Sequence, residues 1–136
     1  MDRNVGVWID HKQAYLIWYK EGRVDVIPSN IEPPQHFSGG TQLGGKLNQK
    51  GDLELRHNDR YRVKLTQFYR RVIAALKDVD SVFVMGPGEA KIEFEKALKR
   101  YKSMQNRLLK VETADKMTKN QMIARVRQFY QNQPAA

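Results

Sequence analysis

The sequence predicts an α/β fold with a mixed five-stranded sheet, and three observations support it. Three short segments rich in β-branched and aromatic residues follow one another near the start, separated by short turns. Two further apolar segments then alternate with amphipathic stretches of helical periodicity. The 136 residues contain 40% hydrophobic side chains, which suits one domain, residues 1–136, with a single core. The predicted order of elements is therefore β-β-β-α-β-α-β-α.

The first three segments predict an antiparallel meander. Val5–Asp10 is rich in β-formers, and so is the continuous apolar run Ala14–Tyr19, which follows after a turn of three residues. Glu21-Gly22 forms the next turn, and it leads into Arg23–Ile27. Pro28 ends that third strand, because proline cannot donate to a strand ladder.

Residues 29–57 interrupt the periodic pattern and predict a long loop. They include Pro33-Pro34 and the glycine pairs Gly39-Gly40 and Gly44-Gly45. A loop of this length is uncommon in a compact domain and is usually functional or mobile. Within it, Leu53–Leu55 indicates a short extended piece.

The next element is a long helix that Asn58 or Asp59 can cap. Its apolar residues recur at helical spacing and form one stripe. They are Tyr61, Leu65, Phe68, Tyr69, Val72 and Leu76. Five basic residues fall mainly off this stripe, so the helix is expected to expose a cationic surface. They are Arg60, Arg62, Lys64, Arg70 and Arg71.

The last four elements complete an alternating strand and helix pattern. Ser81–Met85 predicts a buried parallel strand, and a helix with Ile92, Phe94 and Leu98 as its apolar positions follows from Glu89 to about Tyr101. Leu108–Glu112 is the fifth strand, and Thr118–Tyr130 is the last helix. Right-handed crossovers then place the helices against a mixed sheet. Ribonuclease H-like folds use this order of elements.

Charge is distributed unevenly along the chain. The net charge is +9, from 24 Lys and Arg against 15 Asp and Glu. Residues 1–45 carry −1, residues 46–77 carry +6, residues 78–90 carry −3 and residues 91–127 carry +7. This asymmetry favours a polyanionic partner, RNA foremost, because Lys and Arg that neutralise phosphates release condensed counterions. The alternative is a basic surface that only keeps the protein soluble.

Composition also narrows the cellular setting. The longest apolar run has six residues, far short of the ~20 that span a bilayer. The chain has no cysteine, so disulfides and thiolate metal sites are excluded. We therefore expect a cytoplasmic protein with no membrane contact.

Catalytic motifs are weak in this sequence. A two-metal nuclease needs three or four converging carboxylates, and only Asp10, Glu112 and Asp115 are placed at predicted strand ends. Gly40–Lys46 matches the letters of a P-loop, but Leu47 stands where Ser or Thr would coordinate Mg²⁺. The three histidines share no metal-ligand spacing. We expect no cofactor, and Asp10 and Asp115 are interpreted as turn caps or ion-pair partners.

The long loop and the helix behind it form the most suggestive segment. Paired glycines let backbone N–H groups approach a ligand closely. Basic residues follow at intervals that could contact successive phosphates along RNA. The residues predicted to bind RNA are Gly39, Gly40, Gln42, Lys46, Lys50, Arg56, Arg60, Arg62, Lys64, Arg70 and Arg71.

Several segments together resemble a known family. They are the Gly39-Gly40 loop before a basic helix, Val82–Phe94 and Val111–Asp115. These resemble the central domain of the eukaryotic and archaeal class 1 peptide-chain release factors and Pelota. With Val7–His11 and Val84–Lys91, the chain is most similar to the small bacterial translational machinery proteins grouped with them. The resemblance spans roughly residues 4–130.

The resemblance implies a ribonuclease H-like fold without nuclease activity and a ribosomal partner, through rRNA or tRNA. In true release factors the loop carries Gly-Gly-Gln, which positions water against peptidyl-tRNA. Here Gly39-Gly40 match, but Thr41 stands before Gln42 and displaces that amide by up to about 3.5 Å along the chain. Misplacement by about 1 Å already costs catalysis heavily. A non-catalytic role is therefore the prediction.

Three alternatives remain at this point. Gln42 could serve peptidyl-tRNA hydrolysis, Asp10 could centre a metal-dependent nuclease, or the basic helices could bind an acidic protein partner as an interaction module.

Overall fold

The computed structural model of the chain describes the backbone of residues 3–31 and 47–133, and the side chains of 3–31 and 59–133. Its strands are Asn4–Ile9 (β1), Gln13–Trp18 (β2), Val24–Pro28 (β3), Ser81–Gly86 (β4) and Leu108–Thr113 (β5). They form one sheet in the order β3-β2-β1-β4-β5. The first three strands are antiparallel, and β4 is parallel to both β1 and β5. The predicted mixed sheet with its meander is confirmed.

Three α-helices accompany the sheet in the described part of the chain. They are Leu47–Ala75 (α1), Ala90–Lys99 (α2) and Lys119–Gln131 (α3). A short 3-10 helix, Lys102–Met104, follows α2. None of the described helices is long and apolar enough to cross a membrane.

The start of α1 corrects the sequence prediction. The loop was expected to extend to residue 57 and the helix to begin at Asn58 or Asp59, yet α1 begins at Leu47. Leu53–Leu55, expected to be extended, is helical. The residues after Leu47 are mostly good helix formers, and the isolated Gly51 costs the helix only about 1 kcal/mol relative to alanine.

The sheet is covered on both faces. One face carries α1 and α2, and its core is made by β1 and β2 residues such as Val7 and Leu16 with Phe68 of α1 and Phe94 of α2. The other face carries α3 over a second core. Its fully or nearly fully buried members are Trp8, Ile17, Phe83, Met85, Met122, Val126, Phe129 and Tyr130. Helices on both faces agree with the predicted ribonuclease H-like arrangement.

Two glycines allow close approaches in this packing. A Cβ on Gly6 of β1 would lie 2.2 Å from a methyl group of Val126, so glycine lets α3 approach β1 closely. Gly86 ends β4 with φ 153°, and a Cβ there would lie 2.2 Å from the carbonyl oxygen of Ile9. The ends of β1 and β4 are therefore held together without room for a side chain.

One predicted core residue is outside the core. Ile92 was expected on the apolar stripe of α2, but its side chain is 40% exposed. The positions before it, Ala90 and Lys91, are buried instead. The Lys91 Nζ donates to the carbonyl oxygen of Gly88 one turn earlier, which satisfies the ammonium although its stem is buried.

Candidate nucleic-acid interface

The structure describes only part of the predicted RNA-binding set. Gly39, Gly40, Gln42 and Lys46 lie outside the described residues, and Lys50 and Arg56 are described only as backbone within α1. Their roles stay predictions. The described members lie on one helix, α1, and all have exposed side chains. They are Arg60, Arg62, Lys64, Arg70 and Arg71.

Helix geometry divides these five cations between two flanks of α1. At about 100° per residue, Lys64 and Arg71 project within about 40° of Arg60. Arg62 projects about 160° away from Arg60, and Arg70 lies between these two, about 80° from each, on the solvent-facing side. The two flanks border the buried stripe from opposite sides, so α1 offers cations toward β3 and toward α2.

Arg71 fixes the β3 flank to the sheet. Its guanidinium donates to the carbonyl oxygens of Pro28 and Ser29 at 3.1 and 3.2 Å. The same group lies 5.7 Å from the centre of the Phe68 ring. Arg71 therefore joins α1 to the end of β3, where the chain leaves the sheet toward the predicted loop.

A polar junction fixes the same helix from its other side. The Tyr69 hydroxyl of α1 donates to Glu93 Oε1 of α2 at 2.6 Å, and His11 Nε2, just after β1, lies 3.0 Å from the same oxygen. The ring of Tyr61 meets His11 edge-on, with 6.0 Å between centroids. Three elements thus meet at one carboxylate, near the carboxyl ends of β1 and β4.

Burial and charge at this junction favour neutral tyrosines. Burial, with the Glu93 hydrogen bond and charge, raises the pKa of Tyr69 well above its ordinary value. Burial first, and then the charges of Glu93 and Asp10, raise the pKa of Tyr61 as well. Both phenols stay protonated at neutral pH, so Tyr69 acts as a hydrogen-bond donor and a base role for it is not supported.

The surface of α1 is strongly cationic over its described side chains. Residues 59–77 contain six basic residues and one acidic residue, Asp59. The five of these that belong to α1, which ends at Ala75, are all exposed. These exposed charges together create a positive electrostatic potential along this part of α1, and such a potential attracts anions.

The carboxylates considered for a nuclease have other partners. Asp10 Oδ1 accepts from the backbone N–H groups of Lys12 and Gln13, which makes it the turn cap that was predicted. Glu112 receives two hydrogen bonds from Arg125, at 2.5 and 2.8 Å. Among the residues that the structure describes, no cluster of three His, Asp or Glu could hold a metal ion. The geometry of the described part therefore gives no support to the nuclease alternative.

The junction at Glu93 was missed by sequence reasoning. In the sequence analysis His11 was considered only as a metal ligand and set aside, Tyr69 belonged to the apolar stripe, and Glu93 received no role. None of these interpretations could reveal the junction, because the three residues lie far apart in sequence. They come together only through the order of the strands in the sheet. The only available signal was that His11 directly follows a strand whose neighbour β4 leads into the helix carrying Glu93.

Comparisons with known proteins identify the fold. The chain matches no protein-family model and no curated protein. Among solved structures it is similar to Pelota from Archaeoglobus fulgidus, with 19% identity and a TM-score of 0.49 over 93% of this chain and 33% of that chain. It is also similar to an archaeal translation termination factor, with 14% identity and a TM-score of 0.50 over 94% of this chain and 39% of the other.

These similarities concern architecture. This chain spans about a third to two fifths of the length of the two proteins it matches. At such low identity, the similarity to the termination factor extends to the fold alone. With its five-stranded mixed sheet and flanking helices, the chain has a release-factor-like α/β fold.

Proposed function

We propose that this protein is a non-catalytic, ribosome- or RNA-associated protein of the release-factor central-domain type, which works in translation. It contacts the RNA backbone through the Gly39-Gly40 loop and α1. The observation that carries the proposal is the row of exposed cations on the described part of α1, where one acidic residue stands among residues 59–77. The fold shared with an archaeal translation termination factor supports the translational setting.

The spacing on the β3 flank of α1 suits contact with a phosphate backbone. Arg60 and Lys64 are separated by about 6 Å along the helix axis, and Lys64 and Arg71 by about 10 Å. The Arg71 guanidinium donates to the carbonyl oxygens at the end of β3 and so orients the helix. Its positive charge also adds to the electrostatic potential of this flank. Contacts of this kind are largely independent of the RNA sequence, because every nucleotide carries the same phosphate group.

Rigid attachment of α1 matters for such contacts. Arg71 joins the helix to β3, and Tyr69 joins it to Glu93 and α2. A cationic helix held from two sides presents its charges without the entropic cost of ordering a mobile segment on binding.

The salt dependence of RNA binding tests this proposal. The observed affinity for single-stranded RNA falls with salt, with a logarithmic slope of about −0.7 for each phosphate contact and about −0.9 for duplexes. The triple variant Arg60/Arg62/Lys64→Ala should therefore weaken binding and flatten the slope by about 1.4 to 1.8, because Arg60 and Lys64 lie on the β3 flank and Arg62 projects away from it. Fluorescence anisotropy with labelled RNA at several salt concentrations measures both quantities.

A matched control separates location from total charge. Lys116, Lys119 and Arg127 are also exposed, and they belong to α3 or the segment leading to it, on the opposite face of the sheet. Lys116/Lys119/Arg127→Ala removes the same number of positive charges and should change the slope far less. Equal effects of the two triple variants would show that binding follows net charge, and the assignment to α1 would be wrong.

The hydrolytic and protein-binding alternatives are distinguished by other observations. If the protein hydrolyses peptidyl-tRNA with Gln42, the parent protein should release peptide from ribosome complexes. An interaction module requires a stable complex with an acidic protein and no retention of RNA.

A further inference from the structure

A small pocket lies between the end of α1 and the 3-10 helix that follows α2. Its volume is about 170 Å³. We call it the Tyr101 pocket. Its lining residues are Arg70, Ile73, Ala74, Lys77, Tyr101, Ser103 and Met104. Arg70 also belongs to the predicted RNA-binding set, so the pocket borders the cationic surface of α1.

The pocket has an apolar floor and one exposed aromatic ring. Ile73 and Met104 form the floor and are themselves buried in the core under α1 and α2. Tyr101 is 42% exposed, more than any other aromatic residue whose side chain the structure describes. The pocket therefore combines a buried apolar floor with an aromatic residue that is open to solvent.

The backbone that carries Tyr101 is held in place. The Tyr101 N–H donates to the carbonyl oxygen of Leu98 at 3.1 Å, and its carbonyl oxygen accepts from the N–H of Met104 at 2.9 Å. The Arg107 guanidinium donates to the Lys77 carbonyl oxygen at 3.0 Å and closes the segment against the end of α1. The ring is thus presented by a fixed turn, which lowers the entropic cost of binding a ligand.

The charge around the pocket has one sign. Arg70 and Lys77 line it and are exposed, and no acidic side chain among the described residues lines it. Arg100 and Lys102 flank Tyr101 in sequence and are exposed as well. Two cations therefore line the pocket beside one exposed aromatic ring, and two more flank that ring in the sequence.

This combination selects among ligand classes. An unpaired nucleotide has a flat ring that stacks on aromatic side chains, and it carries a phosphate on each side of the sugar. An apolar peptide side chain could occupy the same pocket, but it carries no negative charge that would pair with the nearby cations. The pocket is also large enough for one ring, since a cavity of about 150 Å³ in another protein holds benzene.

We propose that the Tyr101 pocket receives one unpaired base of single-stranded RNA. The base stacks on the Tyr101 ring, and the neighbouring phosphates lie against Arg70 and Lys77. This inference rests on the proposed function, because it names the form of RNA that this surface recognises. It adds base stacking to a surface that would otherwise read only phosphates.

Binding of matched single-stranded and duplex RNA tests the inference. Stacking of one base is worth about 1 to 3 kcal/mol by alanine substitution. Tyr101→Ala should therefore weaken single-stranded binding by about fivefold to about a hundredfold, while binding to a blunt duplex stays within about twofold. Tyr101→Phe keeps the ring and should bind single strands like the parent protein.

A second measurement uses the unmodified protein. Ultraviolet crosslinking to an oligonucleotide of 5-iodouridine, followed by mass spectrometry, should place adducts on Tyr101. Leu109→Ala, at an exposed apolar residue on β5 and away from α1, is the control for nonspecific loss of contact area and should leave the affinity unchanged.

The outcomes separate this inference from the proposed function. If the parent protein binds single-stranded RNA but Tyr101→Ala binds equally well and adducts map elsewhere, the pocket assignment is wrong and the proposed function stands. Equal weakening of duplex binding by Tyr101→Ala would also overturn stacking. If the parent protein binds no RNA, the proposed function and this inference fail together.

Discussion

The hydroxyl group of Tyr69 gives a direct test of how α1 is held. It donates to Glu93 Oε1 at 2.6 Å. The Tyr69 side chain is buried, with 5% exposure, whereas Glu93 is 38% exposed. Tyr69→Phe removes this hydrogen bond and keeps the ring, which packs at 6.0 Å between centroids against Phe94. The substitution therefore isolates one polar contact between α1 and α2.

The size of the effect follows from the exposure of the acceptor. A hydrogen bond to a charged group contributes roughly 1.5 to 3 kcal/mol to stability. At Glu93, hydrogen bonds from water can replace part of the stabilisation lost, because that carboxylate is more than a third exposed. We expect Tyr69→Phe to lower the free energy of unfolding by about 1 kcal/mol. With a denaturant slope of about 2 kcal/mol per molar, the urea midpoint falls by about 0.5 M.

Urea unfolding followed by circular dichroism measures this change, and a double-mutant cycle assigns it to the pair. Tyr69→Phe, Glu93→Ala and the double variant should give a coupling energy of about 1 kcal/mol. Tyr101→Phe is the matched control, since it removes a tyrosine hydroxyl from an exposed ring and should change stability by less than about 0.5 kcal/mol. Additive losses from Tyr69→Phe and Glu93→Ala would refute the pairing.

Three further predictions concern other parts of the chain. Gly86→Ala should destabilise the fold by about 3 kcal/mol in thermal or urea unfolding, because φ 153° and the nearby Ile9 carbonyl oxygen exclude a Cβ; an unchanged midpoint would contradict this. Glu112→Gln should cost about 1 kcal/mol at pH 7. The Arg125 hydrogen bonds lower the pKa of Glu112 in the folded state, so its contribution is full above the ordinary value of about 4.3 and is lost as pH falls through the lowered value. The difference in the free energy of unfolding between the parent protein and Glu112→Gln should therefore disappear at acid pH. A difference that persists in acid would show that ionised Glu112 is not the source of the stability. For Gln42, a non-catalytic protein predicts no peptide release from ribosome complexes carrying peptidyl-tRNA, whereas release that Gln42→Ala abolishes would favour hydrolysis.

Much of the fold could be predicted because local patterns and tertiary packing agree. The runs beginning at Val5 and Ala14 are rich in β-formers and are buried in the sheet, and the strand at Ser81 is apolar because both of its faces are covered. The stripe on α1 was correct from Leu65 to Leu76 for the same reason, since helical spacing and burial coincide there. Each of these elements carries its own evidence in a short window of sequence.

The parts that could not be predicted depend on context beyond that window. The start of α1 was missed because glycine and the lack of an apolar stripe outweighed the helix-forming residues from Leu47 onward. Ile92 was placed in the core because its spacing is helical, yet the direction of α2 against the sheet decides which neighbour is buried. The Glu93 junction joins residues 82 and 24 positions apart in sequence, so only the assembled sheet reveals it.

Sedimentation of the tagged protein with ribosomes through a gradient tests the central claim most directly. The measurement is made at low and at near-physiological salt, with Arg60/Arg62/Lys64→Ala and Lys116/Lys119/Arg127→Ala run in parallel. If the protein associates with ribosomes through α1, the parent protein and Lys116/Lys119/Arg127→Ala migrate with ribosomes at physiological salt and Arg60/Arg62/Lys64→Ala does not. Absence of the parent protein from the ribosomal fractions at both salt concentrations would contradict the proposed function.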